Sequence, residues 1–309
     1  VALWSRNQAV VDSINRDHTN SIYLTEATIP ESVRASADLR EVATEKDMLI
    51  LAAPSHAARE LILRTSAVLR REMIFVSATK GIEIETGKRI SEIVDEVVPV
   101  AIQPRFVCLS GPSFAREVVM KHPTAIVAAG TNAESARVVQ SSLSCDHLRI
   151  YTNDDVIGTE LAGSLKNVMA IAAGMVSGVG YGSNSLAALI TRGLAEITRL
   201  ALHEGAKVET MIGLAGVGDL ILTCTGNLSR NRFVGEQLGK GRTLAEIQNG
   251  MTEVAEGVKT TLAAKLMAKR AMVEMPITDE VHAVLYEKKP VTDAVAELMA
   301  RPLRTESHW

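Results

Sequence analysis

The chain has few cysteines, few aromatic residues and little net charge, and each shortage argues against a class of protein. Its three cysteines, Cys108, Cys145 and Cys224, form no CxxC pair and no metal-ligand spacing, so no disulfide framework or metal site is expected. Aromatic residues make up 3% and the net charge is -3, which argues against a nucleic-acid-binding surface. We therefore expect no metal, no nucleic-acid partner and a reducing, cytoplasmic location.

The sequence also lacks a hydrophobic run of membrane-spanning length. The most apolar stretch, residues 168–179, is too short and is interrupted by Gly and Ser. No signal peptide is visible in the first residues. We therefore predict no integral membrane segment. The length of 309 residues and the ordinary balance of 47% hydrophobic and 22% charged residues are typical of a globular protein with two domains.

The first half of the chain alternates short β-type runs with helical runs. Strands are predicted at 1–5, 32–36, 47–53, 73–79, 105–111, 124–130 and 148–152. The run at 47–53 is continuously apolar, which is typical of a strand buried on both faces. The alternation predicts an α/β fold with a mostly parallel, Rossmann-like sheet that carries helices on both faces.

After residue 153 the pattern changes to long helical runs without a clear strand. These runs span 156–178, 184–204, 229–239, 255–270 and 277–288. We therefore predict a dinucleotide-binding domain at 1–153 and an all-helical substrate and dimerisation domain at 154–309. Ligands of open parallel sheets bind beyond the carboxyl ends of the strands. The polar turns at 5–7, 54–56, 79–81 and 110–113 fit such a rim.

One motif of dinucleotide-binding sheets is absent from the printed chain. Such a sheet normally begins with a strand, a GxGxxG turn and a helix, and no such unit precedes the strand at 1–5. The glycines at 178–182 and 213–218 follow no strand, and we interpret them as helix-end and loop glycines. We expect the native protein to carry this unit upstream. Without it, weak NADPH binding is predicted, because the amides of its turn receive the pyrophosphate. Poor solubility is also predicted, because the missing strand would leave apolar surface exposed.

The strand at 1–5 ends in Arg6 rather than in an acidic residue. At the tip of the second strand of this fold, an acid would bind the ribose 2′-hydroxyl, whereas an arginine suits a 2′-phosphate. Considered alone, Arg6 is better explained as a solvated surface residue. Together with the rest of the rim it favours NADP(H) over NAD(H).

Seven segments are informative in combination: ATKGIEIETGK (78–88), SGPSFA (110–115), ELAGSLKNVMAIAAG (160–174), ITRGLAEITRL (190–200), GVGDLILTCTGNLSRNR (216–232), VAEGVKT (254–260) and MPITDEVHAVLY (275–286). In this order they resemble the bacterial type of NAD(P)-dependent glycerol-3-phosphate dehydrogenase. The resemblance implies a Rossmann-like domain followed by a helical domain, assembled as a homodimer. It also implies reversible hydride transfer between NADP(H) or NAD(H) and dihydroxyacetone phosphate, which yields sn-glycerol 3-phosphate for phospholipid synthesis.

Two lysines are candidate catalytic residues. Lys166 lies in an apolar helical run without Asp or Glu between Glu160 and Glu196, so no neighbour on its helix neutralises it. Taken alone, this pattern slightly favours a lysine that snorkels at a domain boundary. The resemblance implies instead the proton donor and acceptor, with a pKa lowered by burial or a nearby cation. Lys80, otherwise an ordinary turn lysine, is implied as a second cation that contacts substrate and cofactor.

Asp219 stands among Gly and aliphatic residues, where a carboxylate is unusual unless it is paired or caps a helix. The resemblance implies that it is catalytic and contacts the active-site lysine or a substrate hydroxyl, supported by Thr223. The run Ser229, Arg230 and Asn231 opens a predicted helix, whose free amides suit a phosphate. Arg230 would add a bidentate clamp; the alternative is a capped helix with a solvated arginine.

The resemblance also implies contacts at positions that the residues alone would not single out. On the substrate side these are Gly111, Ser113 and Asn167, in addition to Ser229 and Asn231. On the cofactor side they are Ala115, Val254 and Glu256, in addition to Arg6, Lys80 and Arg230.

Two other functions remain open on sequence alone. One is a related two-domain dehydrogenase acting on a hydroxy acid or on 6-phosphogluconate. The phosphate-binding run at 229–231 and the GVGDL segment argue against a plain hydroxy acid. The other is a non-catalytic remnant that retains a helical dimer module, supported by the absence of the glycine-rich turn.

Overall fold

The computed structural model describes residues 1–251, 255–303 and 305–306, and in this part of the chain strands precede a long series of helices. The strands are β1 (Ala2–Trp4), β2 (Thr19–Asn20), β3 (Leu24–Thr28), β4 (Arg34–Ser36), β5 (Met48–Leu51), β6 (Ile74–Ser77), β7 (Arg105–Ser110), β8 (Thr124–Ala129) and β9 (Leu148–Asn153). The α-helices are α1 (Gln8–Asp17), α2 (Leu39–Ala43), α3 (Ser55–Thr65), α4 (Ile90–Val97), α5 (Ala115–Val119), α6 (Ala133–Leu143), α7 (Val156–Val179), α8 (Ser183–His203), α9 (Val208–Met211), α10 (Asp219–Thr225), α11 (Arg230–Gly239), α12 (Leu244–Asn249), α13 (Glu256–Ala271), α14 (Pro276–Tyr286) and α15 (Val291–Met299).

The main sheet has five strands in the order β5-β6-β7-β8-β9. Its pairs are parallel except for β7 and β8, which run antiparallel with Leu109 opposite Ala128. The prediction of a mostly parallel sheet is thus confirmed. β1 pairs in parallel with β4 in a separate two-stranded sheet. β2 and β3 form an antiparallel hairpin that the sequence analysis did not predict.

The prediction that the apolar run at 47–53 is buried on both faces is wrong. Ile50 in β5 is 47% exposed, whereas all four residues of β6 are buried. β5 is the edge strand of the main sheet and pairs only with β6 in the described part of the chain. An edge strand is covered less completely than an interior strand, so hydrophobicity alone did not reveal its position.

The helical half is built around α7. All five predicted helical runs are confirmed, as α7, α8, α11, α13 and α14, and the described residues after Asn153 contain no strand. Nearly all of α7 is buried, and it packs against α8, α10, α11 and α13. Gly213 and Gly218 lie at helix ends, as interpreted. Gly216 does not, because residues Leu214–Gly218 form a π-helical turn.

Two helical segments in the described ranges, Val156–Val179 and Val208–Thr225, are long and apolar enough to cross a membrane by length and composition. The first is the mostly buried helix α7. A fully covered helix is apolar on all sides for the same reason as a membrane span, since both are surrounded by apolar groups.

Glycines allow α7 and α11 to approach until their backbones touch. A Cβ atom on Gly235 of α11 would lie 1.9 Å from the carbonyl oxygen of Ile171 in α7. A Cβ atom on Gly174 of α7 would lie 2.0 Å from the carbonyl oxygen of Arg232 in α11. No side chain larger than hydrogen fits at either position without moving a helix.

The change Gly235→Ala is therefore expected to lower the free energy of unfolding by about 1–3 kcal/mol, the usual effect of overpacking. Urea unfolding followed by circular dichroism measures the difference. Gly250→Ala is the matched control, because a Cβ atom there meets its nearest neighbour, the carbonyl oxygen of Ile247, at 3.7 Å. Equal unfolding midpoints for the two variants would contradict the close approach.

A buried carboxylate of α8 caps α14. Glu196 accepts hydrogen bonds from the amides of Ile277 and Thr278 at 2.8 and 2.9 Å, and from Thr278 Oγ1 at 2.7 Å. Burial raises the pKa of Glu196 to about 7, although these hydrogen bonds act in the opposite direction. The folded protein thus holds a proton on Glu196 at a pH where the unfolded chain has lost it.

Since the pKa of Glu196 is raised on folding, the free energy of unfolding is predicted to fall as pH rises from about 5 to about 7 and to level off above that range. The slope contributed by one group is at most about 1.4 kcal/mol per pH unit. Urea titrations across this range, with Glu196→Gln alongside, isolate the contribution. A wild-type curve that stays parallel to that of Glu196→Gln would rule it out.

Candidate active site

The carboxyl ends of β6 and β7 face helices α7 and α10. Lys80 follows β6, and Gly111 comes directly after β7. Lys166 lies about three turns after the start of α7, where it is buried. Asp219 is the first residue of α10. Two of the polar turns predicted to form a rim therefore meet the helical half of the chain at these lysines.

Asp219 bridges two lysines that are far apart in sequence. Its Oδ1 accepts a hydrogen bond from Lys166 Nζ at 2.6 Å, and its Oδ2 accepts one from Lys80 Nζ at 2.8 Å. Lys166 Nζ also donates to Thr223 Oγ1 at 2.7 Å, and Lys80 Nζ donates to the carbonyl oxygen of Gly111 at 3.0 Å. The side chains of Asp219 and Lys166 are 1% and 7% exposed, and that of Lys80 is 25% exposed.

Burial, reinforced by the charge of Lys80, lowers the pKa of Lys166 to about 7. Asp219 acts in the opposite direction and keeps the ammonium form accessible. Burial by itself would raise the pKa of Asp219, but Lys80 and Lys166 hold it below its usual range. Lys166 can therefore exchange a proton near neutral pH. The counter-charge of Lys166 is Asp219 of α10, 53 positions away, and not a neighbour on its own helix. A search for helical neighbours in the sequence could therefore not find it.

Two buried asparagines connect three helices beside this cluster. Asn167 Nδ2 donates to the carbonyl oxygen of Lys80 at 3.3 Å, and Asn231 Nδ2 donates to Asn167 Oδ1 at 3.0 Å. The amide of Gly257 then donates to Asn231 Oδ1 at 2.8 Å. This chain of amides joins the starts of α11 and α13 to the helix that carries Lys166.

The remaining residues implied as substrate contacts lie nearby or at a helix start. Ser113 Oγ donates to the carbonyl oxygen of Gly111 at 3.0 Å, and Gly111 has a positive φ of 136° that favours glycine. Ser229 is the N-cap of α11, and its Oγ accepts from the amide of Arg232 at 3.2 Å. The predicted helix start is thus confirmed, with Arg230 exposed in its first position.

The residues implied as cofactor contacts are more scattered. Glu256 begins α13, and its carboxylate accepts from Ser55 Oγ at 2.5 Å and from the Ser55 amide at 3.3 Å. Arg6 and Ala115 are exposed, after β1 and at the start of α5, and no described hydrogen bond joins them to the lysines. Val254 lies outside the described residues.

Sequence reasoning placed two serines in the polar turns of the rim but missed the surroundings of their side chains. Ser55 lies in a polar turn already placed on the rim, but no pattern indicated its bond to Glu256 across 201 positions. Ser110 is buried at the end of β7, and its Oγ has no hydrogen-bond partner in the described part of the chain. A Cβ atom on Gly163 of α7 would lie 2.6 Å from this Oγ, so a helical glycine facing a strand end was the available signal.

A mostly parallel sheet whose strand ends face a buried, proton-exchanging lysine defines a class of protein, the dehydrogenases built on a dinucleotide-binding fold. Within this class, the chain belongs to the NAD-dependent glycerol-3-phosphate dehydrogenase family. The N-terminal model of the family matches residues 1–136, and its C-terminal model matches residues 155–296.

Individual relatives agree with this family over nearly the whole chain. The chain is 52% identical over 307 residues to a glycerol-3-phosphate dehydrogenase (NAD(P)+) of Koribacter versatilis, covering 99% of this chain and 91% of that protein. It is 48% identical to the protein of the same name from Syntrophotalea carbinolica, covering 99% and 92%. The fold matches the crystal structure of glycerol-3-phosphate dehydrogenase from Coxiella burnetii with a TM-score of 0.93 at 38% identity, covering 97% and 91%.

Proposed function

We propose that this protein catalyses reversible hydride transfer between NAD(P)H and dihydroxyacetone phosphate, giving sn-glycerol 3-phosphate. The observation that carries the proposal is the bridge from Lys166 through Asp219 to Lys80 at the strand ends. It places a lysine with a pKa of about 7 in a buried position, next to a more exposed lysine that can face substrate. The catalytic residues we propose are accordingly Lys166, Lys80 and Asp219.

Lys166 supplies the proton in this proposal. Bound NAD(P)H provides the hydride, and the ketone oxygen of the substrate gains negative charge as the carbonyl carbon is reduced. Lys166 Nζ transfers its proton to that oxygen, since an ammonium group with a pKa near 7 is an effective acid toward an alkoxide. Asp219 and Thr223 hold the lysine in both protonation states, because both can accept its hydrogen bonds. Lys80 stabilises the developing negative charge.

The residues at the strand ends fit the reactive half of a nicotinamide cofactor. The Ser110 Oγ lies among them, buried against Gly163 of α7 and without a hydrogen-bond partner in the described part of the chain. We assign Lys80, Ala115, Arg230, Val254 and Glu256 to cofactor binding. The sequence contains no GxGxxG turn after a strand, so no residue is assigned to the pyrophosphate. Arg6 supports NADP(H) over NAD(H), since its guanidinium suits a 2′-phosphate.

The start of α11 is the proposed site for the substrate phosphate. A helix start offers backbone amides and a positive dipole end, and Arg230 adds a planar charged clamp. Asn167 and Asn231 each carry a second amide hydrogen beyond those in the chain of amides, and we assign both to substrate binding. The other proposed substrate contacts are Gly111, Ser113, Thr223 and Ser229.

The organisation of the protein is part of the same proposal. We assign a dinucleotide-binding domain to residues 1–153 and a helical domain to 154–309, supported by the change from strand β9 to helix α7 at this point. A homodimer in the cytoplasm that supplies glycerol 3-phosphate for phospholipids follows from the family resemblance. Light scattering of the purified protein tests the dimer.

A substrate comparison tests the activity. The purified protein is mixed with NADPH or NADH, and nicotinamide absorbance is followed with dihydroxyacetone phosphate, with dihydroxyacetone and with a panel of 2-ketoacids. In the reverse direction, NADP+ is supplied with glycerol 3-phosphate or 6-phosphogluconate. We expect efficient turnover only with the dihydroxyacetone phosphate and glycerol 3-phosphate pair. Faster turnover of a ketoacid or of 6-phosphogluconate would overturn the substrate assignment, and the absence of any turnover would overturn the enzyme assignment.

A further inference from the structure

A π-helical turn immediately precedes Asp219. The amide of Gly218 donates to the carbonyl oxygen of Gly213, five residues back. The amide of Asp219 is shared between the carbonyl oxygens of Leu214, five residues back, and Gly216, three residues back. In an α-helix the same bonds reach four residues back, and successive side chains are about 100° apart. One extra residue in a turn therefore rotates everything that follows it, and such turns are frequent at functional sites.

The π-turn is held between α9 and the main sheet. A Cβ atom on Gly216 would lie 1.9 Å from the carbonyl oxygen of Met211, the last residue of α9, and 2.6 Å from its Cα atom. These are backbone atoms, which cannot move aside as the end of a flexible side chain can. The buried Ala215 of the same turn belongs to a hydrophobic cluster with Cys108 of β7 and Val127 of β8. Gly216 thus permits a contact that no other residue allows.

We infer that Gly216 and the π-turn are positioning elements of the active site, which direct the Asp219 carboxylate between Lys80 and Lys166. A regular α-helix through the same residues would rotate the Asp219 side chain by about 100° and separate it from one or both lysines. The inference rests on the proposed function, because it matters for catalysis only if Lys166 supplies the proton.

The experiment compares Gly216→Ala with Gly250→Ala, which lies at the end of α12 and outside the π-turn. A Cβ atom on Gly250 meets its nearest neighbour, the carbonyl oxygen of Ile247, at 3.7 Å, and its φ of -96° suits any residue. Gly250→Ala is therefore the matched control and should keep the wild-type kinetics. Gly216→Ala should lower kcat with dihydroxyacetone phosphate by roughly 10²-fold, the cost of misplacing a catalytic group by about 1 Å. NADPH affinity, measured by fluorescence titration, should stay unchanged.

The pH profile distinguishes positioning from a general folding defect. In the reduction direction, kcat/KM should fall with rising pH as Lys166 loses its proton. If Gly216→Ala withdraws the Asp219 carboxylate, the pKa of Lys166 drops, and this fall should move by about one unit to lower pH. Asp219→Asn serves as the reference, because it removes the same counter-charge. A partly misfolded protein would lose activity equally at every pH without moving the fall.

The outcomes separate the two proposals. A wild-type enzyme that does not reduce dihydroxyacetone phosphate overturns the proposed function. An active wild type with an unmoved pH profile in Gly216→Ala, or the same displacement in Gly250→Ala, overturns the positioning role. If Gly216→Ala does not fold, Ala215→Gly replaces it, since it removes only one methyl group from the contact with the sheet. Ala215→Gly should move the pH dependence of kcat/KM in the same direction as Gly216→Ala, but by a smaller amount. An unmoved pH dependence in Ala215→Gly also overturns the inference.

Discussion

Replacing Lys166 with methionine is expected to lower kcat for the reduction of dihydroxyacetone phosphate by about 10²–10⁴-fold, the usual contribution of a positioned acid. Methionine is similar in length and apolar, so it suits the buried site. Asp219 keeps its ion pair with Lys80, which leaves the carboxylate charged and partnered. NADPH affinity should barely change, because Lys166 acts on the ketone oxygen rather than on the cofactor.

Lys240→Met is the matched control for this prediction. Lys240 is an exposed lysine that pairs with Glu236 at the end of α11, so its loss should leave turnover unchanged. The primary deuterium isotope effect, measured with NADPH that carries deuterium at the transferred position, shows whether hydride transfer limits turnover. If Lys166→Met keeps more than roughly a third of wild-type turnover while hydride transfer is rate-limiting, Lys166 is not the proton donor.

Replacing Arg230 with alanine is expected to lower kcat/KM for dihydroxyacetone phosphate by about 10–150-fold. Charged hydrogen bonds to the phosphate are worth about 1.5–3 kcal/mol, and each 1.4 kcal/mol corresponds to about a factor of ten. Arg230 is the first residue of α11 and precedes Asn231. The side-chain amide of Asn231 donates to Asn167, which follows the proposed proton donor Lys166 in α7. A phosphate at this helix start would therefore lie on the same side of the site as Lys166.

The control for Arg230 uses both a second substrate and a second arginine. Dihydroxyacetone lacks the phosphate and should be a poor substrate for wild type and Arg230→Ala alike. The two enzymes should therefore have nearly the same kcat/KM for dihydroxyacetone. Arg232→Ala should change kcat/KM little, because Arg232 bonds to Asn227 and approaches Glu236 on its own helix. Equal losses with dihydroxyacetone and its phosphate would contradict the phosphate clamp.

Much of this protein could be predicted from the sequence because the relevant signals are local. Helix α7 was evident from its apolar residues, and its predicted range of 156–178 agrees with the observed helix Val156–Val179. The start of α11 was evident from Ser229, whose hydroxyl caps the first turn. Hydrogen bonds within a helix and its cap join residues three or four positions apart, so a short window of sequence contains both partners.

The tertiary structure alone decided which distant groups meet. Asp219 pairs with Lys80 and Lys166 across 139 and 53 positions, and Glu256 pairs with Ser55 across 201 positions. The exposure of β5, the antiparallel placement of β8 and the π-turn before Asp219 likewise depend on neighbours from other elements. Lysine burial and the resulting pKa of about 7 follow from that packing. The sequence by itself determined the long helices, most strands and the candidate residues. The charge balance of the site arose only when the chain folded, because desolvation and ion pairing depend on three-dimensional proximity.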